Sequence, residues 1–342
     1  MIREPNTLTA TEAASSIASG VFSSVDLVQS CLDQISNTDD KIKAWEYVDS
    51  DNALDQAKEC DRIRRQGKSI GRLHGVPVGL KDIIDTVDMP TQLGNAVFEG
   101  RQTKKDARLV ERLREAGAVI MGKTVTTELA FLHPSKTRNP HNLERTPGGS
   151  SSGSAAAVAA NHVPIAVGTQ TNGSVIRPAS FCGTYGFKPT AGIISRSGIL
   201  QTSETLDQVG CFGRSLADIG LLGDVLGSYD QNDINSFSRP RPKMYDGALS
   251  DPPVTPNIAW LDLPFYDRLA SETREGLDAI NDILGAQVSK MTAADQLSNL
   301  VAVQARIHEY EICKHQSDVF DQNWDGLSDT LKSVIKRARK IS

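Results

Sequence analysis

The sequence predicts an α/β layered fold with a largely buried central sheet. Two observations carry this. Short apolar segments rich in β-branched residues recur along the chain, and segments with apolar residues at three- and four-residue spacing stand between them. Strands alternating with helices bury their sheet under helical layers. A chain of 342 residues that is 39% hydrophobic and 23% charged has ample material for such a core.

The elements follow in order. Residues 24–37 are predicted helical, because Leu27, Val28, Cys31, Leu32 and Ile35 share one face behind Ser24 as a cap. "VPVGLKDII" (76–84) is short, apolar and β-branched, which predicts a strand. Residues 106–116 form the next helix, with Leu109, Val110 and Leu113 on one face and Gly117 as its stop. "AVIMG" (118–122) is a second strand, and an alanine-rich helix leads into a third, "VPIAVGT" (163–169). A helix over 215–226, a strand "NIAWLDL" (257–263) and a helix over 269–285 complete the series. The proline-rich stretch 236–256 reads as a surface connection. The chain is therefore read as a single domain over 1–342, with its chemistry in a core at about 70–215.

Composition sets limits on function. A formal net charge of -5 gives no electrostatic footprint for nucleic acid. The five cysteines (Cys31, Cys60, Cys182, Cys211, Cys313) have neither metal nor disulfide-framework spacing, so reduced thiols are expected. The N-terminus lacks the apolar core of a signal peptide. No apolar run reaches the roughly 20 residues that cross a bilayer. A cytoplasmic chain without membrane contact, metal or cofactor is the expectation. The six histidines show no acidic partner along the sequence, so nothing supports a Ser–His–Asp arrangement.

"TPGGSSSGSAAAVAA" (146–160) carries the chemical question. A linker would join independent units, whereas this stretch is embedded among structured segments. A phosphate loop needs Lys followed by Ser or Thr after its second glycine, and none is present. "GSSSG" matches a nucleophile elbow centred on Ser151, yet the polar "HNLERTP" before it is no strand. Downstream, "GTQTNGSVIRPASFCGTYGFKPT" (168–190) places Ser174 24 residues after Ser150. Upstream, "LHGVPVGLKDIIDT" (73–86) puts Lys81 on a predicted buried strand. Each alone has an ordinary reading: a snorkelling lysine, a turn serine, serines that cap a helix.

Together the three segments resemble the amidase signature family, in its malonamidase-like flavour. A weaker similarity runs over roughly residues 7–320 and includes "SRSGILQTSETLDQVG" (195–210). The resemblance implies that the central sheet is mixed and covered by helices. It also implies a Ser–cisSer–Lys triad. Ser174 would be the nucleophile, Ser150 the bridging serine with a cis peptide before it, and Lys81 the base. The N–H groups of Thr171, Asn172, Gly173 and Ser174 would form an oxyanion hole. Burial disfavours a charged lysine, which suits a base.

The sequence departs from the family at named places. Ser152 replaces a glycine, Gln170 an aspartate and Asn172 a glycine. Arg177 lies three residues after Ser174, as in malonamidase-like members, where the arginine holds a substrate carboxylate; a structural ion pair is the equal alternative. Family members continue beyond where this chain stops, and "LKSVIKRARKIS" (331–342) reads as a helix. The implied function is hydrolysis of a small amide, a carboxylated one included, to an acid and ammonia or an amine through an acyl-enzyme. The small amide would be the partner molecule, and a homodimer the expected assembly. Two alternatives stand beside it: the A subunit of a glutamine-dependent tRNA amidotransferase, which needs partner subunits, and a non-catalytic remnant that binds.

Overall fold

The computed structural model describes residues 3–292 and 297–341. They form two compact units, Met1–Leu249 with His308–Ser342, and Ser250–Ile307. The larger unit opens with α1 (Ala10–Ser19), α2 (Ser24–Ile42), β1 (Trp45–Val48), α3 (Ser50–Arg65), β2 (Pro77–Lys81), α4 (Arg108–Glu115) and β3 (Val119–Thr124). It continues with α5 (Ser152–Ala159), β4 (Ile165–Gln170), α6 (Ile176–Cys182), β5 (Tyr185–Phe187), β6 (Gln208–Gly213), α7 (Leu216–Leu226) and α8 (Met244–Leu249). The smaller unit holds β7 (Ile258–Asp262), α9 (Ser271–Leu284) and β8 (Val288–Thr292). Then come α10 (Leu300–Gln322), which belongs to the larger unit from His308 on, and α11 (Asp329–Ala338).

The larger unit is a mixed six-stranded sheet in the order β1-β3-β2-β4-β6-β5. Its centre is parallel: β2 pairs with β3 on one side and β4 on the other. Its flanks, β1 on β3 and β6 on β4, are antiparallel. Every residue of β2, β3 and β4 is buried, as a sheet covered on both faces requires. Successive side chains alternate between two apolar clusters: Ile165 and Val167 join Leu109, Leu222 and Ile335 on one face, and Ala166 joins Leu27, Ala53 and Ala156 on the other.

α5 packs tightly on the sheet because its residues are small. Ala155, Ala156 and Ala157 are fully buried. A Cβ at Gly153 would lie 2.2 Å from the Ala44 carbonyl oxygen and 2.4 Å from the Val125 nitrogen, so only glycine fits. The serines tie the helix down. Ser154 Oγ donates to the Val167 carbonyl at 3.1 Å and lies 2.7 Å from Thr124 Oγ1, while Ser151 Oγ donates to the Thr169 carbonyl at 3.1 Å.

The expected helices and strands form, with three differences. α2 is capped by Ser23, which makes a capping box with Asp26; the N–H of Ser24 goes instead to Asp61 at 2.8 Å. The strand at 257–263 and the helix at 269–285 lie outside the central sheet, since β7 pairs in parallel with β8 across α9. The first of the two passages between the units, at Leu249 and Ser250, falls within the proline-rich stretch read as a surface connection. Alternation along a sequence identifies strands but not the sheet that each one joins. β1, β5 and β6 went unpredicted because two are very short and "QVGCFG" is interrupted by glycine.

Replacing Gly153 by valine should therefore cost about 3 kcal/mol, at the upper end of overpacking effects. Urea unfolding measures this; a midpoint equal to wild type would mean that α5 moves off the sheet freely.

Candidate active site

Parallel strands place the site at their carboxyl ends, as in other open α/β sheets. β2 ends on Lys81 and its neighbour β4 ends on Gln170, so the lysine and the loop carrying Ser174 emerge side by side. The Gly/Ser loop that precedes α5 reaches the same place from above the sheet. Its Gly148 has φ +79°, and the peptide between Gly149 and Ser150 is cis. Ser150 is held by its carbonyl, which accepts from the Thr127 N–H at 3.2 Å.

Lys81 is fully buried. Its Nζ donates to Ser150 Oγ at 2.7 Å and to Thr169 Oγ1 at 2.8 Å. Burial drives its pKa down to about 7, against a smaller upward pull from Asp207. Among the described residues no carboxylate lies within hydrogen-bond reach of its Nζ. A second buried lysine makes the contrast. Lys123 donates to the carbonyls of Ile84 and Pro90 at 2.6 and 3.3 Å and to Thr91 Oγ1 at 2.6 Å, and it lies 3.6 Å from the buried Asp82 carboxylate. Burial pushes Asp82 up and Lys123 down, each toward neutrality, and their mutual attraction opposes it. Register pairs Leu80 with Lys123 and Lys81 with Thr124, so the two lysines lie on opposite faces of the sheet.

Ser174 is nearly buried, and its carbonyl accepts from the Ser151 N–H at 3.3 Å, which brings the two serine segments together. A bond from Ser174 Oγ to Ser150 Oγ is not among the hydrogen bonds of the described residues. The loop between β4 and α6 is clamped at both ends. Gln170 Oε1 accepts from the N–H groups of Val175 and Ile176 at 2.9 and 3.0 Å, and Thr171 Oγ1 donates to Asp207 at 2.6 Å. The N–H groups of Thr171, Asn172, Gly173 and Ser174 donate to no described residue. Ser151 is fully buried and spends its hydroxyl on Thr169, so it has no exposed nucleophile to offer.

Arg177 is exposed and donates to Asn172 Oδ1 at 2.8 Å. Like Lys81, Ser150 and Ser174, it is not among the residues lining the nearby cavity of about 250 Å³, whose walls include Thr169, Thr171, Ile199, Thr202, Asp207 and Arg196. Arg196 itself is spent on Asp233 at 2.8 Å and on the carbonyls of Glu204 and Asp207. Ala130, also on the wall, and its neighbour Leu129 have φ of +56° and +47°, backbone that non-glycine residues adopt at a cost of about 1–2 kcal/mol each. Sequence reasoning missed Thr169, Thr127 and Asp207. The last lay within the quoted 195–210 segment but carried no signal of its own.

The Amidase family model matches residues 26–340. The chain belongs to the amidase signature family. Among curated relatives, the A subunit of the glutamyl-tRNA(Gln) amidotransferase of Thermobifida fusca (strain YX) is 42% identical over 247 residues, 70% of this chain and 50% of that protein. Its counterpart in Natranaerobius thermophilus is 40% identical across 97% of this chain and 70% of its own length. The chain thus spans about half the length of the first of these relatives. Solved amidase folds superpose closely. A chain from a vestigial protein complex that reveals the origins of an s-triazine catabolic enzyme matches at TM-score 0.89 and 28% identity, covering 97% of this chain and 74% of that one. Native peptide amidase from Stenotrophomonas maltophilia matches at TM-score 0.79 and 30% identity, over 92% and 68%.

Within this amidase fold the Asp82–Lys123 pair is structural. Lys123→Ala should lower stability by about 3–5 kcal/mol at pH 8, because it strands a buried carboxylate. The loss should shrink at pH 5, where Asp82 takes up a proton below its raised pKa. Denaturant unfolding at the two pH values reads both; an equal loss at each would remove the carboxylate from the explanation.

Proposed function

We propose that this chain hydrolyses a small amide through an acyl-enzyme on Ser174. The observation that carries the reading is a fully buried lysine whose hydrogen-bond partners are hydroxyls, Ser150 and Thr169. An ordinary lysine is neutral in about one molecule in 2,500 at pH 7. With its pKa near 7, Lys81 is neutral in about half and can act as a base.

In this reading neutral Lys81 takes the Ser150 proton and Ser150 takes that of Ser174, through a Ser174–Ser150 bond that forms with substrate in place. Ser174 Oγ attacks the amide carbonyl carbon. The N–H groups of Thr171, Asn172, Gly173 and Ser174 hold the resulting oxyanion, each worth about 2.7–4 kcal/mol where such donors have been removed. The C–N bond breaks as the relayed proton passes to the leaving ammonia or amine. Water then cleaves the ester by the same route. Arg177 steadies Asn172 in this scheme; a grip on a substrate carboxylate rests on the resemblance to malonamidase-like members. Five free cysteines, four of them buried, suit the reducing cytoplasm. Among the described residues no helix is long and apolar enough to cross a membrane.

A second reading has its own support. Curated relatives at 40–42% identity are A subunits of glutamyl-tRNA(Gln) amidotransferases. There the same site would release ammonia from an amide for a partner's use. Ammonia release from small amides by the purified chain alone favours the free-standing amidase. Release from glutamine only with partner subunits and tRNA favours the second reading.

A fluorophosphonate should label Ser174. An adduct mapped to Ser151 would restore the nucleophile elbow, and the absence of any adduct would favour a non-catalytic binding protein. In steady-state kinetics, kcat/KM should fall about tenfold per unit below pH 7, as protonation removes neutral Lys81. Lys81→Ala should abolish that limb with most of the turnover; a wild-type rate across the range would take Lys81 out of the mechanism.

A further inference from the structure

One carboxylate on the cavity wall has no place yet in the chemistry. Asp207 opens onto the same cavity as Thr169 and Thr171. Its Oδ1 accepts from Thr171 Oγ1 at 2.6 Å and Thr202 Oγ1 at 2.9 Å, and its Oδ2 from the N–H groups of Thr202 and Ser203 at 2.7 and 2.8 Å. Four donors fix it in one orientation. The turn that holds it is fixed in its own right. Ser203 Oγ donates to Glu311, and Gln316 Nε2 donates to the Gln201 carbonyl at 2.7 Å, so α10 anchors the turn.

We propose that Asp207 is a positioning residue for the proposed amide hydrolysis, which holds the oxyanion loop through Thr171. The proposal follows from connectivity. Thr171 opens the loop that ends on Ser174, and its side chain is the loop's tie to the 202–207 turn. A rigid loop holds its N–H groups in place without reorganisation during reaction. The charge of Asp207 adds to this support. Burial alone drives Lys81 toward neutrality, and Asp207 opposes this by stabilising the ammonium. A lysine with too low a pKa is always neutral but too weak a base, so an opposing carboxylate keeps its strength near working pH.

Other charged or titratable groups stand on the elements packed around these two. Asp82 and Lys123 pair with each other on the opposite face of the sheet, and Arg196 pairs with Asp233. Glu204 lies 3.7 Å from both Lys314 and His315. Glu311 is bonded to Ser203 and Thr205, and its carboxyl is held below its ordinary value. His308 Nε2 lies 3.3 Å from Thr202 Oγ1, and burial holds its pKa below the ordinary value, so it stays neutral around pH 7.

The test is the pH dependence of fluorophosphonate labelling at Ser174 in the full chain, which needs no knowledge of the substrate. Asp207→Asn keeps the side chain's size and removes the charge. Its labelling limb should move to lower pH by about one unit, the size expected of a nearby opposite charge. Thr171→Val keeps the charge and removes the tie; its plateau rate should fall about tenfold with the limb unmoved, and Thr171→Ser should restore it. An Asp207→Asn limb at the wild-type pH overturns the charge role, and a Thr171→Val plateau equal to wild type overturns the loop role. Labelling that is indifferent to Lys81→Ala overturns the catalytic reading itself, and this inference with it. Labelling that depends on Lys81 but not on Asp207 overturns the inference alone.

Discussion

Sealing Lys81 away from water is the constraint on which the site is built. A buried ammonium is costly unless it is paired, and this one has hydroxyls instead of a salt bridge. The group responds by giving up its charge near neutral pH. That response needs a dry surround, and a dry surround needs every neighbouring polar group to be satisfied internally. The serine-rich loop meets the requirement. Ser151, Ser152 and Ser154 each place a hydroxyl on a main-chain carbonyl, of Thr169, Gly148 and Val167. At about 1 kcal/mol per net hydrogen bond, the gain lies less in stability than in leaving nothing unpaired beside the lysine.

The two buried lysines show how environment assigns a role. Both sit at the carboxyl ends of adjacent parallel strands, and both are completely inaccessible. Lys123 faces a carboxylate, two carbonyls and the Thr91 hydroxyl, which fasten it to the segment after β2. Lys81 faces two hydroxyls, one on the cis-linked Ser150 and one on the cavity wall. A carboxylate beside the amine marks Lys123; Lys81 has hydroxyls as partners and no ion pair among the described residues. The serines divide in the same way. Those at 151, 152 and 154 bond to main chain and are spent, whereas Ser150 meets an amine.

Substitutions within the family motifs are absorbed by the local geometry. Gln170, where an aspartate is common, still accepts two N–H groups at the start of α6, a task that needs an oxygen but no charge. Asn172, where a glycine is common, gains a side-chain contact with Arg177. Ser152, in a glycine position, bonds back to Gly148 across the bend. Each departure keeps the loop's shape by a different bond.

The sequence by itself determined the α/β class and the buried central strands, and its resemblance to the family pointed to Lys81, Ser150 and Ser174 as a group. Short apolar runs rich in β-branched residues mark β2, β3 and β4 wherever they fold, and motif spacing is a property of one dimension. Tertiary structure alone decided which sheet each strand joined, and it moved β7 and its helix into a separate unit. It also decided that Ser23 caps α2, that Arg177 turns outward to Asn172, and that Lys123 is a structural twin of Lys81. Thr169, Thr127 and Asp207 were illegible because their meaning lies in what they face. A threonine bonded to a buried lysine and an aspartate bonded across 36 residues to a loop hydroxyl look, in sequence, like any others. Local pattern fixes secondary structure and spacing; long-range contacts fix the direction in which each polar group points, and the chemistry depends on that direction.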